Sequence, residues 1–251
     1  MNILAALNAL FYKYTNQTDI IIGTGIAGRP HEDLLHIIGM FVNTLAVRNY
    51  PQGQKTYETL LKEVIINSIN AFENQDLQFE ELVDKLDLER DISRNPLFDI
   101  MMVVQNFQGK KGKYLLPTAD ESKNTTSKFD MTFFVHEDGE DVNIIIEYYT
   151  GIFKRETIAR LARHFQNLIN TVASKPGVKL DELDIRTEQE KEELLYVFNN
   201  TAADYPGEKT ICQLFAEQVQ KKPDNISVVG TGRELSLPGD PFITYKELVS
   251  L

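Results

Sequence analysis

The chain has 251 residues, 42% hydrophobic and 25% charged, the balance of a globular protein with a sizeable core rather than a disordered or fibrous chain. With 26 Lys and Arg against 37 Asp and Glu the net charge is −11, which disfavours nucleic acid and anionic lipid as partners. The single Cys212 excludes an internal disulfide framework and any multi-cysteine metal site. No apolar run reaches the roughly 18 residues of a membrane span, and the first residues lack a secretory signal, so the chain reads as cytosolic.

Ile3, Leu4, Leu7, Leu10 and Phe11 recur at helical spacing, predicting an amphipathic helix that ends near Tyr14. Ile20-Ile21-Ile22 predicts a buried strand feeding a glycine-rich turn, and a second strand follows over 41–48. Leu60, Leu61, Val64, Ile65, Ile69 and Phe72 mark a helix over 57–72, with a shorter one over 79–86. After Asn95-Pro96, FDIMMVVQNF reads as β, whereas GKKGK and residues 120–128 read as polar loops. Residues 129–136 and 142–149 predict an antiparallel hairpin closed by a loop longer than a tight two-residue turn. A helix with Ile158, Leu161, Phe165, Leu168 and Val172 on its buried face closes a first compact unit near residue 176. A charged linker over 177–205 carries a helix over 188–198. Residues 206–251 begin a new unit with a helix over 210–220, a strand over 226–229 and a helical stub from Tyr245, too little to build its own core.

Gly23-Thr24-Gly25-Ile26-Ala27-Gly28 follows a strand with the spacing of a dinucleotide fingerprint. Arg29-Pro30-His31 stands where the helix should run, and Arg48 and Asn49 replace the ribose-binding carboxylate. The reading kept is a tight turn bringing strand and loop together. His31 and His36 are poorly spaced for a shared metal, His164 reads as structural, and Cys212 reads as a small core residue on an amphipathic helix. The common hydrolase, metalloprotease and P-loop signatures do not occur in the sequence. Around Arg90, Asp91, Ser93, Arg94, Asn95 and Pro96 lies a dense polar cluster bordering a strand, where arginine–carboxylate pairing would orient the loop.

IGTGIAGRP with IGMFVNTLAVR, then FENQDLQFEELVDKL, then RDISRNPLFDIMMVVQN, resemble three consecutive signatures of nonribosomal peptide synthetase condensation domains. Lys128-Phe129-Asp130-Met131-Thr132 and TIARLARHFQNLINTV resemble the segments that close such a domain, so the resemblance spans residues 1–176. At Asn74-Gln75-Asp76-Leu77-Gln78-Phe79 the chain departs from the family, which usually has His first and Pro before Phe. ELDIRTEQEKEELLYVFNNTAADYP resembles the linker to an adenylation domain, and TICQLFAEQVQKKPDNISVV with ITYKEL the opening of that domain.

The resemblance implies an α/β fold similar to half of chloramphenicol acetyltransferase, the C-terminal lobe of two that enclose a tunnel, followed by a short α/β adenylation fragment. The family's His-His-x-x-x-Asp-Gly motif, thought to orient or deprotonate the acceptor amine, does not occur here, so no catalytic residue is assigned. By resemblance, Gly23, Thr24, Gly28, Arg29, Asn43 and Thr44 shape the lobe interface, while Arg90, Asp91, Ser93, Arg94, Asn95 and Pro96 fix a loop–strand junction. No metal and no directly bound cofactor is expected. The implied partners are the N-terminal lobe, the rest of the adenylation domain, and carrier domains bearing a phosphopantetheine arm. The rival reading is a non-catalytic module that docks carrier proteins or a partner lobe, for which Lys110, Lys111 and Lys113 offer a small basic patch. A weaker rival is a complete acyltransferase whose histidine lies on another chain.

Overall fold

A computed structural model of the chain describes all residues except Pro30, Leu35, 89–93, 106–125, Glu140, Tyr205, 230–241 and Leu251. Arg90, Asp91, Ser93 and the lysines at 110, 111 and 113 therefore lie outside the described residues. The chain divides into two compact units, Met1–Glu193 and Leu194–Leu251.

In the first unit, helix α1 (Asn2–Thr15) precedes strand β1 (Ile20–Ile26) and strand β2 (Asn43–Asn49). Helices α2 (Tyr57–Glu73) and α3 (Phe79–Lys85) lead to β3 (Ile100–Gln105), β4 (Met131–Asp138), β5 (Asp141–Tyr148) and the long α4 (Arg155–Ser174). The strands form one mixed sheet in the order β2-β1-β3-β4-β5, parallel where β3 meets β1 and β4, antiparallel at both outer pairs. Parallel neighbours require a crossover, and α2 with α3 provides the one between β1 and β3.

Burial explains why these segments fold. In α1, Leu4, Leu7, Leu10 and Phe11 join Ile22, Val47, Leu60, Val64, Phe133, Leu161, Phe165 and Leu168 in one core, so α1, α2 and α4 share an apolar layer with the sheet. α2 starts on Thr56, whose side chain accepts the amide of Thr59 at 3.2 Å and caps the first turn. Alternation sends Gly23 away from buried Ile22 and Thr24, and a Cβ built on Gly23 would overlap the Phe98 ring. Phe98 is held between Phe79, edge-on with centroids 5.6 Å apart, and Phe129, stacked at 5.5 Å.

Four local expectations change. The stretch from Gly23 to Ile26 is strand, paired with Asn43–Ala46, rather than turn. Only Gly28, at φ 61°, takes the left-handed conformation there. β4 and β5 pair as far as Asp138↔Asp141, so their connection is a two-residue turn containing Gly139 at φ 65°. The compact unit also continues past residue 176. Residues 176–183 bond back to the loop before α2, and Leu180 and Leu183 are buried. A short helix α5 (Glu188–Glu192) follows, with Thr187 and Glu190 in a capping box, and gives way to a π-helical turn at Glu193–Val197 where one helix to residue 198 was expected.

The second unit holds α6 (Ile211–Lys221), a two-stranded antiparallel pair β6 (Ile226–Val229) and β7 (Phe242–Thr244), and α7 (Tyr245–Ser250). Phe215 and Tyr245 approach at 5.6 Å, but no described residue of this unit is buried. Cys212 is accordingly exposed rather than a core residue. No helix among the described residues is long and apolar enough to cross a membrane.

Candidate functional site

The C-terminal ends of β1 and β3, the first turn of α1 and the far end of α2 enclose a cleft of about 500 Å³, the larger of two adjoining hollows. Thr24, Gly25 and Ile26 supply one wall, Leu4, Met102 and Val104 another, and Ser68, Phe72 and Gln75 a third. The second hollow, about 280 Å³, shares Gly28 and Gln75 and is bounded by Met40, Phe41, Asn43 and Gln78. Among the described residues lining the larger cleft, Arg29 has the only ionisable side chain.

Asn43 organises this end of the sheet. Its Nδ2 donates to the carbonyls of Gln75 at 2.8 Å and Leu77 at 2.9 Å, while its Oδ1 accepts the amides of Thr44 at 2.8 Å and Phe79 at 3.2 Å. A carboxamide is the one short side chain with two donors and an acceptor, so a single residue ties the start of β2 to the α2–α3 loop. Asn43 is buried, and with four partners its polar capacity is filled. The Asn74–Phe79 segment, flagged as departing from the family pattern, is thus held largely through its backbone.

Arg29 is spent on its own loop. Its guanidinium donates to the carbonyls of Leu34 and Gly39 and stands 4.2 Å over the Phe41 ring. Gly28 is required nearby: besides its positive φ, an added Cβ would collide with the Phe41 carbonyl oxygen. The loop these residues brace projects apolar side chains outward, Ile38 being 101% and Met40 93% exposed. Thr24 is buried at the cleft wall, and Thr44 pairs with Gly25 in the sheet ladder.

The described members of the second cluster lie elsewhere. Arg94 donates to Asp99 at 2.9 Å, and Asn95 Oδ1 accepts the amides of Leu97 at 3.2 Å and Phe98 at 3.3 Å, with Pro96 inside that bend. This bend enters β3 at the end opposite the cleft, so the sequence-level candidates form two groups. The cleft also uses residues that the sequence did not mark for it: Met1 just before α1, Leu4 from α1, and Ser68 from α2. Leu4 and Ser68 sit on helices whose apolar pattern signals core, and packing of α1 and α2 on the sheet brings them to the strand ends.

Away from the cleft, Tyr14 Oη meets His164 Nδ1 at 2.6 Å, and His164 Nε2 meets Glu190 Oε2 at 2.7 Å. Glu190 Oε2 also accepts from the amide of Thr187 at 2.8 Å and its hydroxyl at 3.0 Å. Burial opposes the charged carboxylate, but the Thr187 amide, His164 and the Thr187 hydroxyl outweigh it and hold the pKa at about 2. His31 pairs with its neighbour Asp33 at 3.2 Å, and no group of three or more metal-ligating side chains occurs among the described residues.

A condensation-domain family model matches residues 1–195. Bacitracin synthase 3 of Bacillus licheniformis is 45% identical over 250 residues, 99% of this chain and 4% of the synthase. Gramicidin S synthase 2 of Brevibacillus brevis is 42% identical over 252 residues, 99% of this chain and 6% of that protein. The chain thus spans only a small part of the curated relatives it matches. In fold it is similar to a holo four-domain nonribosomal peptide synthetase solved with AMP and glycine, with TM-score 0.76, 20% identity, and coverage of 98% of this chain and 19% of that one. The X-domain from teicoplanin biosynthesis gives TM-score 0.64 and 26% identity over 74% of this chain and 43% of its own. These neighbours share the mixed sheet and its helical layer, the chloramphenicol acetyltransferase-like lobe that the three signatures imply. On its sequence match and its architecture, the chain belongs to the condensation-domain family of nonribosomal peptide synthetases.

Proposed function

We propose that the first unit is the C-terminal lobe of a condensation domain, with residues 206–251 the opening of an adenylation domain, inside a cytosolic multimodular synthetase. In the whole enzyme the domain joins two carrier-bound groups: the acceptor amine attacks the donor thioester, a C–N bond forms, the amine proton passes to a base, and the C–S bond breaks to leave the donor carrier's arm as a thiolate that takes up a proton. The observation that carries this reading is the chemistry of the cleft. Among the described residues that line it, the one ionisable side chain is Arg29, whose guanidinium has hydrogen-bond donors and no acceptor. The lobe is therefore a wall and a positioning surface, and the base comes from the partner lobe, whose histidine motif does not occur in this sequence.

The phosphopantetheine arm of a carrier domain is long and thin, with two amides and a hydroxyl between short apolar stretches. A largely apolar cleft of about 500 Å³ with Thr24, Ser68 and Gln75 as scattered polar groups suits that shape. When bound, the arm supplies a carbonyl activated as a thioester; the chain's part is to hold it along the Thr24–Gly28 wall and exclude water. The exposed apolar loop bearing Ile38 and Met40 is the surface that the N-terminal lobe would cover. Incubating the 251-residue chain with two loaded carrier proteins should give no amide product, whereas the same lobe joined to its N-terminal partner should. Amide from the chain alone overturns the proposal.

A further inference from the structure

Residues 176–192 behave as two different halves of one strap. The inner half is stitched by backbone: the amides of Glu58 and Tyr57 donate to the carbonyls of Pro176 and Val178, both at 2.9 Å, and the amides of Leu180 and Asp181 donate to Lys55 at 2.9 Å and Gly53 at 3.1 Å. Tyr12 Oη donates to Asp181 Oδ1 at 2.5 Å, and Leu180 and Leu183 fill the core beneath. The outer half, 184–192, makes no backbone–backbone hydrogen bond to the rest of its unit among the described residues.

Two side chains of α4, one turn apart, hold the outer half. Asn167 Nδ2 donates to the carbonyls of Ile185 at 3.4 Å and Arg186 at 3.2 Å, and His164 meets Glu190 at 2.7 Å. His164, itself buried, is fixed from behind by Tyr14 at 2.6 Å. The Glu190 oxygen that meets His164 also completes the capping box of α5, a helix of five residues too short to persist without outside contacts. Losing the Glu190 carboxylate therefore removes both this anchor and half of the capping box, while Asn167 and the packing of Ile185 still hold residues 185 and 186.

We propose that the Tyr14–His164–Glu190 chain is a latch that sets where the connection to the second unit becomes free. Latched, the first unit runs to Glu193. Unlatched, its held part ends near Arg186, where Asn167 and Ile185 still anchor it, adding the seven residues 187–193 and up to roughly 25 Å of reach. The inference uses only contacts within the first unit and stands independently of the condensation reading. In a multidomain enzyme that passes carriers between sites, such a change in linker length alters which sites a tethered neighbour can visit.

Limited trypsin digestion of the full chain, followed site by site by mass spectrometry, tests it. Arg186 and Lys191 lie in the outer half and Lys179 in the inner half, whereas Lys175 precedes Pro176 and is not a trypsin site. Glu190→Ala and, from the other side of the contact, His164→Phe should each speed cleavage at Arg186 and Lys191 by roughly ten-fold or more, the range expected for a lost charge-assisted hydrogen bond. Cleavage at Lys179 should stay at the parent rate, and the double variant should be no faster than either single one. Unchanged rates at Arg186 and Lys191 in Glu190→Ala, or equal acceleration at all three sites, would overturn the latch. Because Glu190 lies on the strap and not in the core, Glu190→Ala keeps the test valid if His164→Phe fails to fold.

Discussion

The substitution Asn43→Asp changes the shape of the side chain scarcely at all and reverses half of its chemistry. The Oδ1 contacts to the amides of Thr44 and Phe79 survive, whereas the two hydrogen bonds to the carbonyls of Gln75 and Leu77 become a carboxylate oxygen facing two carbonyl oxygens. Two lost hydrogen bonds at about 1 kcal/mol each, plus the cost of an unpaired charge at a buried position, give a loss on the order of 3 kcal/mol. The site disfavours the anion, so the introduced carboxyl has a raised pKa when folded. Its penalty is full above that value and shrinks as pH falls, because the protonated acid again donates to one carbonyl. Urea unfolding followed by far-ultraviolet circular dichroism, parent against variant at pH 7.5 and pH 5, measures both effects. A variant within about 0.5 kcal/mol of the parent at pH 7.5, less than a single net hydrogen bond, would refute the four-bond account of Asn43. So would a penalty that grows in acid.

Gly23→Ala should cost about 1–3 kcal/mol by forcing a methyl group into the Phe98 ring, which Phe79 and Phe129 leave no room to move. Adding Phe98→Leu should recover part of that loss, and a neutral Gly23→Ala would contradict the packing. For Glu190, whose folded pKa is lowered to about 2, the sign runs toward weakening in acid: its contribution is full above the ordinary carboxylate range near 4.3 and disappears as pH falls toward 2. Tyr14, His164, Thr187 and, beyond Tyr14, Arg160 are the groups around it. Amide exchange of residues 184–192, corrected for intrinsic rate, should accelerate over that window in the parent and show no such step in Glu190→Ala. Arg94→Ala should shift the unfolding free energy by less than about 1 kcal/mol, because its pair with Asp99 is largely exposed; a larger loss would give Arg94 a further role.

Much of the first unit is legible in the sequence because its elements answer to local rules. α4 announces itself through Ile158, Leu161, Phe165, Leu168 and Val172, and all five are buried. β3, β4 and β5 are rich in β-branched and aromatic residues between polar breaks. Family membership is legible for a different reason: three short blocks in fixed order are rarely matched by chance.

What the sequence misplaces are residues whose conformation is decided by something far away in the chain. Gly23 to Ile26 contains two glycines and reads as a turn, yet it is strand because Asn43–Ala46 pairs with it and Phe98 occupies the space beside Gly23. Residues 177–192 are charged enough to read as linker, but Leu180 and Leu183 reach the core, and the strap closes on backbone groups more than 100 positions earlier. Cys212 sits on an apolar helical stripe that the second unit leaves uncovered. The cleft is the clearest case. The family resemblance names Gly28, Arg29 and Asn43, but only the packing of α1 and α2 on the mixed sheet gathers them at one end with Met1, Leu4 and Ser68, and leaves Arg94 and Asn95 at the other. Local propensity specifies elements one at a time, whereas which strand end faces which helix is set by packing one shared core.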